Sequence, residues 1–159
     1  MIEELLVDGV KQVSNAELIE LLNQDLSREY MAIIAYVVYS QVLKSAEFMH
    51  VAGELEKHVV RELNHALILG EQIDYLTNTL VDEASTLSTS KKAIEMLQLE
   101  CDNEAEIIQN YRKRICQCED LAEYAVCEQI RGIMNHKIIH QNALTTALSK
   151  NASSQYQAA

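Results

Sequence analysis

Apolar side chains recur at every third or fourth position along four long stretches of the chain, with polar residues between them. This spacing puts the apolar residues on one face of an α-helix, so the pattern predicts four helices. They are predicted at about 15–43, at about 46–76, from near Ser90 and from near Glu119. Ser14 and Glu17 form a capping box at the first helix, and Ser45 precedes the second. Proline is absent and glycine occurs only 4 times, so little interrupts the helices.

The predicted helices have matched lengths of about 27 residues, or about 40 Å. Helices of equal length joined by short links pack as an antiparallel bundle. The polar link at about 77–89 is longer, and a link of this length can cross the bundle. We therefore predict an all-α antiparallel four-helix bundle with a long crossover between helices 2 and 3. It spans residues 15–149, between an N-terminal extension (1–14) and a flexible C-terminal tail (150–159).

Each apolar face carries ionisable residues near its middle. In chain order they are Glu29, Glu62 with His65, Glu104, and Lys137 with His140. Burying a lone carboxylate is costly unless another group neutralises it. Because each of the four helices carries such a residue at a similar level, the sequence predicts one polar centre that all four share.

The two halves of the chain repeat this pattern at constant spacings. The interval from Glu29 to Glu62 equals the interval from Glu104 to Lys137. One constant offset along the chain also relates four pairs of residues, which are Glu29 and Glu104, Tyr36 and Tyr111, Glu62 and Lys137, and His65 and His140. Each half is therefore predicted to form one helical hairpin, and the two hairpins pack face to face around one centre.

The combined pattern resembles the ferritin-like four-helix bundle proteins, and most closely the bacterioferritin and mini-ferritin (Dps-like) group. The resemblance runs from about Asn15 to Leu148. It is carried by LIELLNQDLSREYMAIIAY, GELEKHVVRELNHALILGEQIDYL, NEAEIIQNYRKRI and HQNALTTAL. Di-iron sites of this kind combine one Glu from each of two helices with a Glu-x-x-His pair from each of the other two.

The resemblance implies a set of metal ligands. They are Glu29 and Glu104 as terminal ligands, Glu62 as a bridge between two ions, and His65 and His140 on one ion each. Lys137 stands where the family has a second bridging Glu. In the family, tyrosines at the positions of Tyr36 and Tyr111 donate hydrogen bonds behind the ligands or take part in electron transfer. Core packing is the alternative role for both.

Lys137 changes the charge expected at the centre. Glu29, Glu62 and Glu104 sum formally to −3, and a protonated Lys137 brings the sum to −2, which one divalent ion balances. Lys137 is therefore interpreted as a tethered substitute for one metal ion, although a metal-free salt bridge to Glu104 is an alternative. We expect one ion rather than two, with iron favoured over zinc or manganese. The intact set of Glu29, Glu62 and His65 places it in the first half.

The resemblance implies iron storage or detoxification in a homo-oligomeric shell built from dimers. With one ion per chain, ferroxidase activity is expected to be weak or absent. Two alternatives are open: a mono-metal or metal-free redox enzyme with Lys137, Tyr36 and Tyr111 as catalytic residues, and an inactive shell subunit. Haem binding is not expected, because Val59 and Leu63 stand where haem-binding members have methionine.

Two further histidines have open interpretations. His136 and His140 are four residues apart and can form a ligand pair, but His136 lies off the apolar stripe and is expected at the surface. His58 lies one turn before Glu62, as an extra ligand, a supporting group or a core residue.

Composition limits the remaining choices. The formal net charge of −11 disfavours nucleic-acid binding, since phosphates would be repelled. The apolar run MAIIAYVV is far shorter than the roughly 18 residues that suggest a membrane span. No secretory signal opens the chain, and the 4 cysteines are not spaced like a disulfide scaffold. A cytoplasmic protein with reduced thiols is expected.

Overall fold

A computed structural model describes residues 10–45, 47–77 and 79–157, with side chains as far as residue 150. In this part of the chain the regular elements are helices: α1 (Asn15–Val42), α2 (Met49–Thr77), α3 (Ala93–Asp120) and α4 (Tyr124–Gln157). Helix α1 packs against α2 and α3, and α4 packs against α3 and α2. The predicted all-α four-helix bundle is confirmed. Within the described ranges, no helix is long and apolar enough to cross a membrane.

The starts of α1 and α2 follow local hydrogen bonds. The Glu17 amide donates to Ser14 Oγ at 3.2 Å, and the Ser14 amide donates to the Glu17 carboxylate at 2.8 Å. This is the predicted capping box, which satisfies two amides that the helix itself leaves unpaired. Helix α2 begins at Met49, slightly later than predicted, because the Ser45 carbonyl accepts from the Phe48 amide at 3.0 Å in a turn.

The boundaries of α4 differ from the prediction at both ends. Helix α3 continues through Asp120, and the chain then reverses in a turn where Ala122 has a φ of 58°. Helix α4 therefore starts at Tyr124 rather than near Glu119. At the other end it continues to Gln157, beyond the predicted end of the bundle at 149.

The link between α2 and α3 runs along α1. Its contacts, in chain order, join Asn23 to Val81 (2.7 Å), Ser27 to the Glu83 carbonyl (2.7 Å) and Tyr39 to the Ser88 carbonyl (2.8 Å). Residue numbers rise together on both segments, so the link runs parallel to α1. Helix α3 therefore starts at the end of the bundle where α1 finishes, which confirms the predicted crossover.

The core consists of two apolar clusters with polar residues between them. One cluster includes Leu26, Leu69, Ile107 and Ile133, and the other includes Ala35, Leu55, Cys101 and Leu144. On α1, Glu29 lies between Leu26 of one cluster and Ala35 of the other. On each of the other three helices an ionisable residue likewise lies between one residue of each cluster. The ionisable residues therefore form a buried polar layer in the middle of the bundle.

Candidate metal centre

Lys137 lies in the middle of this polar layer, with its side chain 0% exposed. Its Nζ donates a hydrogen bond to Glu62 Oε2, lies 3.1 Å from Glu29 Oε2 and lies 3.4 Å from Glu104 Oε1. All three carboxylates are buried. The structure thus brings together one residue from each helix, at the single level expected from the sequence.

Glu29, Glu62 and His65 form the first of two groups with the chemistry of a metal site. One ligand atom of each residue lies within 4.8 Å of the others. His65 Nδ1 is 3.4 Å from Glu62 Oε2 and 3.6 Å from Glu29 Oε2. These are the same two oxygens that face Lys137, so the lysine and the histidine share one pair of carboxylates.

The second group is Glu100, Glu104 and His140, and its ligand atoms also lie within 4.8 Å of one another. His140 Nδ1 is 3.7 Å from Glu104 Oε2. Glu104 and His140 were predicted from the sequence to belong to the centre. Glu100 was not predicted, and the structure adds it to this group. Glu100 lies one turn before Glu104 on α3 and is only 2% exposed.

Tyr36 and Tyr111 connect the two hairpins in a crossed arrangement. Tyr36 of the first hairpin donates to Glu104 Oε1 of the second at 2.9 Å, and its oxygen lies 3.0 Å from His140 Nδ1. Tyr111 of the second hairpin donates to Glu29 Oε1 of the first. Both tyrosines are buried, and burial raises the pKa of each hydroxyl well above its ordinary value. They therefore serve as neutral hydrogen-bond donors to Glu104 and Glu29.

The charges in the layer support one another. Burial acts to lower the pKa of Lys137, but Glu104, Glu29 and Glu62 raise it well above its ordinary value. Burial acts to raise the pKa of Glu62, but the Lys137 ammonium and other partners lower it to about 2. The pKa of Glu104 is likewise lowered against burial, first by Lys137 and then by His140. The lysine is therefore positively charged, and these two carboxylates are ionised.

The pKa values of His65 and Glu100 are raised, which favours their protonated forms. A metal ligand must be deprotonated, so metal binding competes with protons at these two residues. Burial acts to lower the pKa of His65, but hydrogen bonds with Glu29 and Glu62 raise it to about 8. Burial raises the pKa of Glu100 well above its ordinary value, and the nearby charge of Glu104 adds to this effect. Burial of Glu100 therefore favours its protonated form.

Two histidines border the ligand groups. His136 is exposed, as expected, and its Nδ1 lies 3.0 Å from His65 Nε2 with the rings stacked at 14°. His136 thus contacts His65 of the first ligand group. The His58 ring is 4.3 Å from the His140 ring, and its Nδ1 is buried with no hydrogen-bond partner among the described residues. Burial and His140 lower the pKa of His58 to about 4, so its ring is neutral.

A buried ion pair beside the centre was not anticipated from the sequence. Arg114 Nε donates to Asp25 Oδ2 at 2.7 Å, and another guanidinium nitrogen donates to Gln117. The internal repeat relates Asp25 to Glu100, since Asp25 lies one turn before Glu29 and Glu100 lies one turn before Glu104. Extending the repeat by one turn would therefore have identified both acids, although not the partner of either.

The residues present fit a divalent metal ion. Carboxylate and imidazole are the donors that iron, manganese and zinc accept in proteins. Each group also contains a buried carboxylate oxygen, Glu29 Oε2 or Glu104 Oε2, without a hydrogen-bond partner among the described residues. A buried oxygen of this kind is stabilised when it coordinates a cation.

Comparisons with known proteins agree with this architecture. A solved structure of ferritin-like diiron-carboxylate proteins from Bacillus anthracis strain Ames is 28% identical, with a TM-score of 0.81 over 84% of this chain and 96% of that chain. The dodecameric thioferritin of Bacteroides fragilis, a bacterioferritin-related protein, shares the fold at 22% identity, with a TM-score of 0.83 over 92% of each chain. A search of curated proteins gave no match. The ferritin-like domain model matches residues 19–153, and the chain therefore belongs to the ferritin-like domain family.

Proposed function

We propose that this chain is an iron-binding ferritin-like protein whose centre holds one metal ion per chain, because Lys137 takes the place of a second. The observation that carries the proposal is the position of the buried Lys137 ammonium, in contact with Glu62 and 3.1 Å from Glu29 Oε2. A fixed positive charge among three carboxylates leaves less negative charge for metal ions to balance. The ligands are proposed to come from Glu29, Glu62, His65, Glu104 and His140, which fall into two groups, and a single ion would occupy one of these groups.

Weak or absent ferroxidase activity is part of the proposal. Iron supplies one electron per ferrous ion to an acceptor such as dioxygen, so a centre with one ion has no paired electron source. Tyr36 and Tyr111 would hold Glu104 and Glu29 in place by their hydrogen bonds. Lys137 would hold its proton and balance charge.

Iron storage or detoxification in a homo-oligomeric shell is the role we propose for this centre. The dodecameric assembly named for the Bacteroides fragilis relative supports it. So does a stripe on α2 made of Val60, Leu63 and Leu67, which are 70%, 51% and 59% exposed. These residues are three and four positions apart, so they share one helix face. Exposed apolar surface of this kind marks contact surfaces, and a dimer of this chain would cover it.

A cytoplasmic location belongs to the same proposal. The cysteines of the chain, Cys101, Cys116, Cys118 and Cys127, are free thiols in the structure. Burial raises the pKa of Cys118 to about 12, with Cys127 adding to the effect, so this thiol is uncharged and unreactive. Such thiols suit a reducing compartment.

The test combines metal content, ferrous oxidation and size. The full chain is loaded anaerobically with ferrous iron, freed of excess metal, and measured by elemental analysis, stopped-flow oxidation and light scattering. We expect one ion per chain, slow oxidation and a large assembly. Two ions per chain with rapid oxidation would overturn the proposal. Leu63→Glu should reduce the assembly size, whereas Tyr124→Glu, a control at an exposed site on α4, should not.

A further inference from the structure

Glu100 is a buried acid that has no cation of its own. Its counterpart in the first hairpin is Asp25, which Arg114 neutralises through two hydrogen bonds of 2.7 and 3.2 Å. The repeat relates Arg114 to Tyr39, an uncharged residue that donates instead to the Ser88 carbonyl. Among the residues that the structure describes, no lysine or arginine forms an ion pair with Glu100.

The Lys137 ammonium is placed unequally between the two ligand groups. It donates to Glu62 and lies 3.1 Å from Glu29 Oε2, so both carboxylates of the first group share it. It approaches the second group only at Glu104 Oε1, at 3.4 Å. The other oxygen of Glu104, Oε2, is buried and has no hydrogen-bond partner in the described part of the chain. The fixed cation therefore lies closer to the two carboxylates of the first group, and in the second group it reaches only one oxygen of Glu104.

The second group also has an approach from the surface. A cavity of about 540 Å³ lies between the start of α2 and the second half of α4. Its lining includes His50, Glu54, His58 and His140. The first three are spaced by four residues on α2, so they follow one helix face towards Glu62. His140 of the second group therefore borders a cavity that Glu54 and His58 also line.

From this arrangement we infer that the ion of this chain binds between Glu100, Glu104 and His140. The inference rests on the proposed function and specifies where its single ion lies. The site takes a divalent first-row metal, since two carboxylates and one imidazole suit ferrous iron, manganese(II) or zinc. As carboxylate ligands, Glu100 and Glu104 would supply two formal negative charges, which one such ion balances. The sequence favoured the first half instead, because it does not show where the lysine side chain ends.

Anomalous X-ray scattering from crystals of the full chain soaked in manganese(II) tests the position directly. We expect one peak within bonding distance of Glu100, Glu104 and His140. A single peak between Glu29, Glu62 and His65 would overturn this inference and leave the one-ion proposal standing. Peaks at both positions would support the Glu100 site and overturn the one-ion proposal. A wild-type chain that binds no manganese(II) or iron would overturn both.

A substitution tests whether Glu100 is a ligand. Glu100→Gln keeps the shape of the side chain and removes its charge, so we expect manganese(II) binding to weaken at least about tenfold. The control is Glu106→Gln, which removes a carboxylate that is 65% exposed on the same helix and should leave the affinity unchanged. Equal affinities of wild type and Glu100→Gln, in folded protein as judged by circular dichroism, would overturn the inference. The wild-type scattering experiment decides the matter without any variant.

Discussion

The ammonium of Lys137 donates a hydrogen bond to the carboxylate of Glu62, the residue at the equivalent position of the other hairpin. Two positions that lie 75 residues apart in the repeat thus meet at the centre of the bundle. The resemblance to ferritin-like proteins implies a carboxylate that bridges metal ions at each of these positions. Here one of them is a cation, so the two side chains attract each other directly. Lys137 therefore belongs to the polar centre, with a cation where the repeat has a carboxylate.

Lys137→Glu should restore a second metal position. The substitution removes the fixed cation and adds a carboxylate, a change equal in charge to one divalent ion. We expect the bound metal to rise from one ion to two per chain, measured by elemental analysis and by calorimetric titration with ferrous iron. Lys113→Glu, the same change at an exposed position of α3, is the control and should bind one ion. An unchanged metal content in Lys137→Glu would contradict the interpretation of the lysine as a metal substitute.

Lys137→Met should destabilise the metal-free protein. Methionine keeps most of the side-chain length but leaves Glu29, Glu62 and Glu104 buried without their shared cation. Removing one partner of a buried ion pair costs about 3–5 kcal/mol, and urea unfolding in the presence of a chelator measures this loss. Adding manganese(II) should recover part of it, since the ion then takes over the charge. A variant as stable as wild type would show that the carboxylates do not depend on the ammonium.

Much of this centre could be predicted from the sequence because its residues repeat. The constant spacings within and between the two halves placed Glu29, Glu62, Glu104 and Lys137 at one level, and the structure agrees. The repeat also relates Asp25 to Glu100, one turn before Glu29 and Glu104, so it could have pointed to both acids. It could not show that Arg114 pairs with Asp25, because the partner of a buried side chain depends on how the helices pack. Nor could it show how far the lysine reaches, because its side chain crosses from α4 to Glu62 on α2.

Arg114→Met should cost stability without affecting metal binding. Arg114 donates to Asp25 and to Gln117, and both acceptors are buried. Burial raises the pKa of Asp25 even with Arg114 present, so removal of the arginine should raise it further and leave a buried acid without its cation. We expect a loss of about 3 kcal/mol in urea unfolding of the metal-free protein, as for other broken buried ion pairs. Arg112→Met, at an exposed site two residues earlier, is the control. A reduced metal content in Arg114→Met would mean that this ion pair also shapes the centre.

The stability difference between wild type and Lys137→Met should shrink as the pH falls. In the wild type, Lys137 helps to hold the pKa of Glu62 at about 2, against burial. A carboxyl whose pKa is lower in the folded state stabilises the protein above its unfolded pKa of about 4.3, and this contribution is lost as the pH falls towards 2. The loss from Glu62 amounts to about 2 kcal/mol by pH 3.

Lys137→Met behaves in the opposite way over the same pH range. Its buried glutamates lack the ammonium and have raised pKa values, so protonation in mild acid relieves an unfavourable charge. We expect the difference in unfolding free energy between the two metal-free proteins to fall by at least about 2 kcal/mol from pH 7 to pH 3, measured by urea unfolding at each pH. A difference that stays constant would mean that Glu62 titrates alike with and without Lys137. The ammonium would then stabilise the bundle by packing rather than by charge.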